Sequence, residues 1–171
     1  MKRVLFTILL ILAAINSYAY DFSAVCSTGQ TLYYNITSDS TVCLTFPSVC
    51  STHGGYACDG PLNYYCQNEK PTGFLVIPDT VHYNGVAYIV NSIGASAFQQ
   101  CNGLDSVVIG NNIYTIGAGA FNNCTSLKYV YIGHSVNIIG DYAFNGTNVH
   151  YLFYDCPNVS VDYTVVTINT N

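Results

Sequence analysis

The chain has 171 residues; half are hydrophobic and only 8% are charged, against about 25% in an ordinary soluble domain. Four Lys+Arg face nine Asp+Glu, a formal net charge of −5. Lys2 and Arg3 supply two of the four basic residues, so beyond the N-terminus only Lys70 and Lys128 remain. This composition offers no guanidinium fork for phosphate and no basic footprint for nucleic acid, and it sets an acidic surface against anionic membrane faces.

In chain order, Lys2 and Arg3 precede an apolar run from Val4 to Ile15 and then Asn16-Ser17-Tyr18-Ala19. A charged start, an apolar centre and a small-x-small end predict a secretory signal peptide over 1–19, cut after Ala19. The run falls short of the roughly 18 apolar residues a membrane span needs. The expectation is a secreted or cell-surface protein with no membrane insertion after cleavage. No Cys follows the small residues directly, so a lipoprotein anchor has no support.

Residues 20–74 read as a β-rich N-terminal cap. The runs 31–36 (TLYYNI) and 41–46 (TVCLTF) flank the polar turn Thr37-Ser38-Asp39-Ser40, which predicts a hairpin. Residues 48–72 follow as a Ser-, Gly-, Asn- and Pro-containing loop with Cys50, Cys58 and Cys66. Eight cysteines in an oxidising compartment make disulfides the first expectation. The candidates are Cys26, Cys43, Cys50, Cys58, Cys66 and Cys156, with pairing inside the 43–66 group favoured because it staples a loop with little core of its own. Cys50, His53, Cys58 and Cys66 could supply four zinc ligands, but their spacing does not match paired C-x₂₋₄-C knuckles, so no metal is assigned.

Residues 75–155 carry an internal repeat. Ile-Gly recurs at 93–94, 116–117 and 139–140, and Ala-Phe at 97–98, 120–121 and 143–144. Cys101 is followed by Cys124, Leu104 by Leu127, Val107 by Val130 and Ile109 by Ile132, all at an interval of 23 residues. Within a unit, Leu104, Val107 and Ile109 match apolar columns and end as a short strand with one buried face. Gly110-Asn111-Asn112 is a turn, Ile113 and Ile116 return inward, and Gly117 is expected to permit a tight bend. Ala120-Phe121 is expected to open a short helical or 3₁₀ turn that brings the ring under the strand. One such coil cannot bury its own apolar edge, so coils must stack. Phe98, Phe121 and Phe144 should then stand in single file, with Cys101 and Cys124 as buried thiols that pack and bond turn backbone.

Two units depart from the pattern. In the third, the Phe144–Val149 segment is one residue short, the Cys is lost, Val149 takes the Leu position, and Leu152 and Tyr154 take the Val and Ile positions. In the first, an extra segment over 80–90 contains Asn84-Gly85 between alternating residues, the signature of a type I′ hairpin. Residues 156–171 are expected to form a C-terminal β capping segment.

The pattern Ile-Gly-x-x-Ala-Phe-x-x-Cys-x-x-Leu-x-x-Val-x-Ile resembles the BspA-like leucine-rich repeats of bacterial surface proteins. Residues 21–36 and 75–94 resemble the N-terminal cap and leading hairpin of secreted members from Bacteroides-type bacteria. The resemblance implies a mainly β repeat solenoid: a right-handed leucine-rich-repeat coil of about 2.5–3 repeats with an N-terminal β-hairpin cap. It also implies adhesion and contact with host or matrix.

Chemistry is sparse. His53, His82, His134 and His150 belong to no column and no triad pattern, and Glu69 with scattered Asp gives no carboxylate pair for glycosidic cleavage. No catalytic residue and no cofactor is assigned. The variable columns Ser106–Tyr129–Tyr151 and Val108–Tyr131–Phe153 should point away from the core. Tyr129, Tyr131, Tyr151 and Phe153 are therefore the candidate ligand-binding residues, flanked by Lys128 and His150. The competing reading is that these are simply good strand residues on a face covered by residues 161–168. The expected function is non-catalytic binding or adhesion to an extracellular protein or glycan. The alternatives are a structural or truncated fragment of a longer adhesin without its own ligand and, least supported, an enzyme.

Overall fold

The computed structural model describes residues 20–46 and 70–155. The cap comprises β1 (Phe22–Val25), β2 (Thr31–Ile36) and β3 (Thr41–Thr45). The coils comprise β4 (Gly73–Val76), β5 (Thr80–Tyr83), β6 (Val86–Ile93), β7 (Leu104–Ile109), β8 (Thr115–Ile116), β9 (Tyr129–Ile132), β10 (Ile138–Ile139) and β11 (Tyr151–Tyr154). Among the described residues there is no helix.

Each coil contributes one strand to each of two parallel stacks. One sheet runs β11-β9-β7-β4, with Leu75, Val107, Val130 and Leu152 in register. The other runs β1-β2-β3-β6-β8-β10, with β5 paired to β6 beside that path. There Leu44, Ile93, Ile116 and Ile139 align. The last strand of the cap hairpin thus occupies the place of a preceding coil. Antiparallel to β2 on one side and parallel to β6 on the other, β3 converts a hairpin into a solenoid end. That satisfies the edge an open array would otherwise expose.

Between the sheets a third ladder joins the coils. The N–H groups of Ser96, Phe98 and Gln100 donate to the carbonyls of Ala118, Ala120 and Asn122, and those of Gly119, Phe121 and Asn123 donate to Asp141, Ala143 and Asn145. This is where a helical or 3₁₀ turn was expected. Isolated four-residue turns form instead, such as those closed by Ala97 N–H to the Gly94 carbonyl and Cys101 N–H to the Phe98 carbonyl. The reason is a pair of left-handed positions per coil, also 23 residues apart: Ser96, Gly119 and Tyr142, then Gln100, Asn123 and Gly146. A positive φ ends a helix before it can propagate and frees alternate N–H groups for the neighbouring coil.

The aromatic column stands in single file beneath this ladder. Phe98 and Phe121 stack at 5.0 Å and 12°, and Phe121 and Phe144 at 5.1 Å and 3°. All three rings are buried. Cys101 and Cys124 lie beside them as buried free thiols, and the Cys124 thiol donates to the Phe98 carbonyl at 3.0 Å. Hydrogen bonding to Cys124 and then burial hold the Cys101 thiol above its ordinary pKa. In the third coil Thr147 fills the vacated Cys position; it is buried and its hydroxyl donates to the Phe144 carbonyl at 2.7 Å. The polar function of the column therefore outlasts the residue type.

Gly117 serves a different purpose from the bend expected of it. Its φ is ordinary, but a Cβ there would lie 2.5 Å from the Ala95 nitrogen, and one at Gly140 would lie 2.5 Å from the Ala118 nitrogen. The Ile-Gly column is glycine because adjacent coils touch backbone to backbone. In the β5–β6 hairpin the left-handed requirement does hold: Asn84 and Gly85 have φ of 49° and 79°.

Disulfides are not formed among the described residues: Cys26, Cys43, Cys101 and Cys124 are free. Cys26 closes the β1–β2 turn, whereas Cys43 sits in β3 opposite Asn35, toward the other end of β2. A whole strand separates them, too far for these two to bridge each other. Cys26 contacts the Thr28 hydroxyl at 3.0 Å. Burial raises the Cys43 pKa, against a hydrogen bond with Ser92 that lowers it. Cys50, Cys58, Cys66 and Cys156, with His53, the signal segment 1–19, most of the loop 48–72 and the segment 156–171, lie outside the described residues.

Candidate functional site

Strand alternation builds the site. In β9, Val130 and Ile132 are buried while Tyr129 and Tyr131 face out; in β11, Tyr151 and Phe153 face out beside half-buried Leu152 and Tyr154. Parallel register then sets the outward residues in two rows. One row is Phe74–Ser106–Tyr129–Tyr151, and the other is Val76–Val108–Tyr131–Phe153. The four residues singled out by the sequence are together and open to solvent: Tyr129 48%, Tyr131 36%, Tyr151 52% and Phe153 55% exposed.

The Tyr129 and Tyr151 rings stack at 4.9 Å and 4°, so each covers one face of the other. The Tyr131 hydroxyl donates to the Asp155 carboxylate at 3.1 Å. That bond, with smaller contributions from desolvation and the carboxylate charge, holds the Tyr131 phenol above its usual pKa. Lys128 and His150 are exposed where β9 and β11 begin, and the His150 and Tyr151 N–H groups both donate to the Lys128 carbonyl at 3.0 Å. The patch is thus aromatic at its centre, with a lysine and an imidazole along one rim and a carboxylate at the other.

One member was missed from the sequence. Phe74 is 51% exposed at the far end of the first row. Its signal was present, because matching Leu75 and Ile77 to Val107 and Ile109 places Phe74 in the Ser106 column. The opposite sheet also exposes apolar side chains, Ile89, Tyr114 and Ile138, but they are spread among Asn, Ser and Thr. There the Asn137 amide donates to the Tyr114 hydroxyl at 2.8 Å. Among the described residues no cluster of His, Cys, Asp or Glu could hold a metal ion, and no helix is long and apolar enough to cross a membrane.

The family described as "BspA type Leucine rich repeat region (6 copies)" matches residues 91–163. Over that span the chain is similar to BspA-type leucine-rich repeats. Two solved structures share the fold. A leucine-rich repeat protein from Bacteroides ovatus is 24% identical, with a TM-score of 0.52 over 80% of this chain and 38% of that one. A leucine-rich repeat protein from Bacteroides capillosus is 19% identical, with a TM-score of 0.55 over 79% of this chain and 99% of that one. The chain thus spans well under half of the Bacteroides ovatus protein and nearly all of the Bacteroides capillosus one. No curated protein matches the chain. The repeat family is one of protein-interaction modules that are generally non-enzymatic and typically found at cell surfaces.

Proposed function

We propose that the protein is a non-catalytic binding module acting outside the cell, secreted or held at its surface, and that it engages a protein ligand through the aromatic face of the β4-β7-β9-β11 sheet. The observation that carries this reading is the exposure of Tyr129, Tyr131, Tyr151 and Phe153 side by side on a rigid parallel sheet. Rings held by strand register lose little entropy on binding and present large areas, which suits adhesion. A protein is favoured over a glycan because the Tyr129–Tyr151 stack already occupies one face of each ring, and a protein side chain can use the narrow faces and edges that remain.

The test is capture on arrays of extracellular proteins and of glycans by the purified chain and by a Tyr129→Ser/Tyr131→Ser/Phe153→Ser variant. The strands rest on Val130, Ile132 and Leu152, so the variant should keep its far-UV circular dichroism while losing at least tenfold in affinity for a captured protein. Equal capture by both, or capture of glycans alone, would refute the reading.

A further inference from the structure

The outward rows form a ladder with one rung absent. Phe74, Ser106, Tyr129 and Tyr151 stand in register on four neighbouring strands, so a ring projects from every strand except β7. Strands lie about 4.8 Å apart, and the ladders that are complete keep that spacing: 4.9 Å for Tyr129–Tyr151, and 5.0 and 5.1 Å for the buried Phe column. Ordinary sheets rotate each strand by about 20° relative to the next. Here ring planes one coil apart differ by only 3°, 4° and 12°, so rings in register on successive coils lie nearly parallel. Phe74 and Tyr129 are therefore two strand steps apart, about 9.6 Å, with only a serine between them.

We infer that this slot over Ser106 takes one planar aromatic side chain from a protein partner. A ring seated there would lie about 4.8 Å from Phe74 and from Tyr129, the spacing the chain already uses for its own stacks. Phe74 is 51% and Tyr129 48% exposed, so the slot walls are open. An aliphatic side chain would leave both walls partly wet, and a sugar is too thick to make the same contact on both sides. The slot also has a polar end. The Ser106 hydroxyl donates to the carboxylate of the exposed Asp105, which leaves carboxylate lone pairs for the N–H or O–H at the edge of an indole or phenol and for a lysine beside it. The acidic balance of the chain, nine Asp+Glu against four Lys+Arg, favours the same partner: an exposed Trp or Tyr flanked by basic residues.

The inference rests on the aromatic face proposed above and narrows it to one subsite. The chain contains no Trp, so the fluorescence of a Trp-bearing probe reports the slot without background. The probe is an N-acetylated, amidated Lys-Trp-Lys peptide titrated with the full chain, beside its Lys-Leu-Lys counterpart as competitor. The expected result is a saturable blue shift that the Leu peptide does not compete away. Ser106→Tyr supplies the absent rung at a half-buried, outward-facing strand position in register with Tyr129, so it should fold and should weaken the Trp peptide at least tenfold. No saturable shift, or equal titrations of wild type and Ser106→Tyr, would overturn the slot. The wider proposal fails separately, when the Tyr129→Ser/Tyr131→Ser/Phe153→Ser variant keeps its array partner.

Discussion

A methyl group added at Gly117 would meet the Ala95 nitrogen at 2.5 Å and the Gly94 carbonyl carbon at 2.7 Å. Both neighbours are backbone, so no side chain can turn aside and the two coils must separate locally. Gly117→Ala is expected to destabilise by about 1–3 kcal/mol, the usual range for overpacking. Urea denaturation should show a lower midpoint with an unchanged slope; an unchanged midpoint would mean the coils are not in backbone contact. The recurrence of Ile-Gly was plain in the sequence, but its cause was not, because a period says nothing of the distance between coils. Thr147 makes the complementary point. A search for identical residues loses the Cys101–Cys124 column at that position, whereas the requirement is a small buried group able to donate to a carbonyl, which Thr meets as well as Cys.

At the scale of elements, the hairpins and the strand registers were legible because their signals are local: an Asn-Gly turn, an alternating run, an apolar column. The one-residue deletion in the third coil was readable too, since Tyr151 pairs with Tyr129 and Tyr154 with Ile132 as that shortening requires. What lay beyond the sequence was the third ladder: Gly119, Asn123 and Gly146 are residue types that favour a positive φ, but Ser96, Gln100 and Tyr142 in the same columns are not, so the columns could not be recognised by composition. That ladder fixes the ring column below it and makes the column testable. Phe121 stacks on both Phe98 and Phe144, whereas Phe144 has one described ring neighbour. Truncation of a buried Phe costs about 3–5 kcal/mol, and the loss of a second stacking partner adds about 0.5–1.5 kcal/mol. Phe121→Ala should therefore lower the denaturation midpoint more than Phe144→Ala. The reverse order would show that the end of the column, not its middle, limits stability.

Across the whole molecule, cap and coils share one hydrophobic core, which runs from Phe22 and Tyr34 through Leu44 and Ile93 to Phe144 and Val149. Phe22 is the rivet at the cap end. It stacks on Tyr34 at 5.3 Å and on Tyr83 of the β5–β6 hairpin at 4.3 Å, while Gln30 of the cap donates to the Thr72 and Phe74 carbonyls that open the first coil. Three acidic groups along this core are held protonated. Burial, and then the nearby Cys26, raises Tyr34; burial raises Cys43; and the hydrogen bond to Cys124, then burial, raises Cys101. Each folded pKa lies above its unfolded value, so their stabilisation is complete below the unfolded pKa and is lost as pH climbs toward the folded one. The window opens near the ordinary thiol value of about 8.5, and each proton released only on unfolding steepens the loss by about 1.4 kcal/mol per pH unit. Urea midpoints should be flat between pH 6 and 8 and fall by pH 9.5. A Cys101→Ala/Cys124→Ala variant should show a shallower fall. Because the three groups span the cap, the seam and the coils of one core, circular dichroism and tyrosine fluorescence should report the same midpoint at each pH. A midpoint that rises above pH 8 would reverse the sign assigned to these groups, and separate transitions for the two probes would mean that the cap and the solenoid unfold as independent bodies.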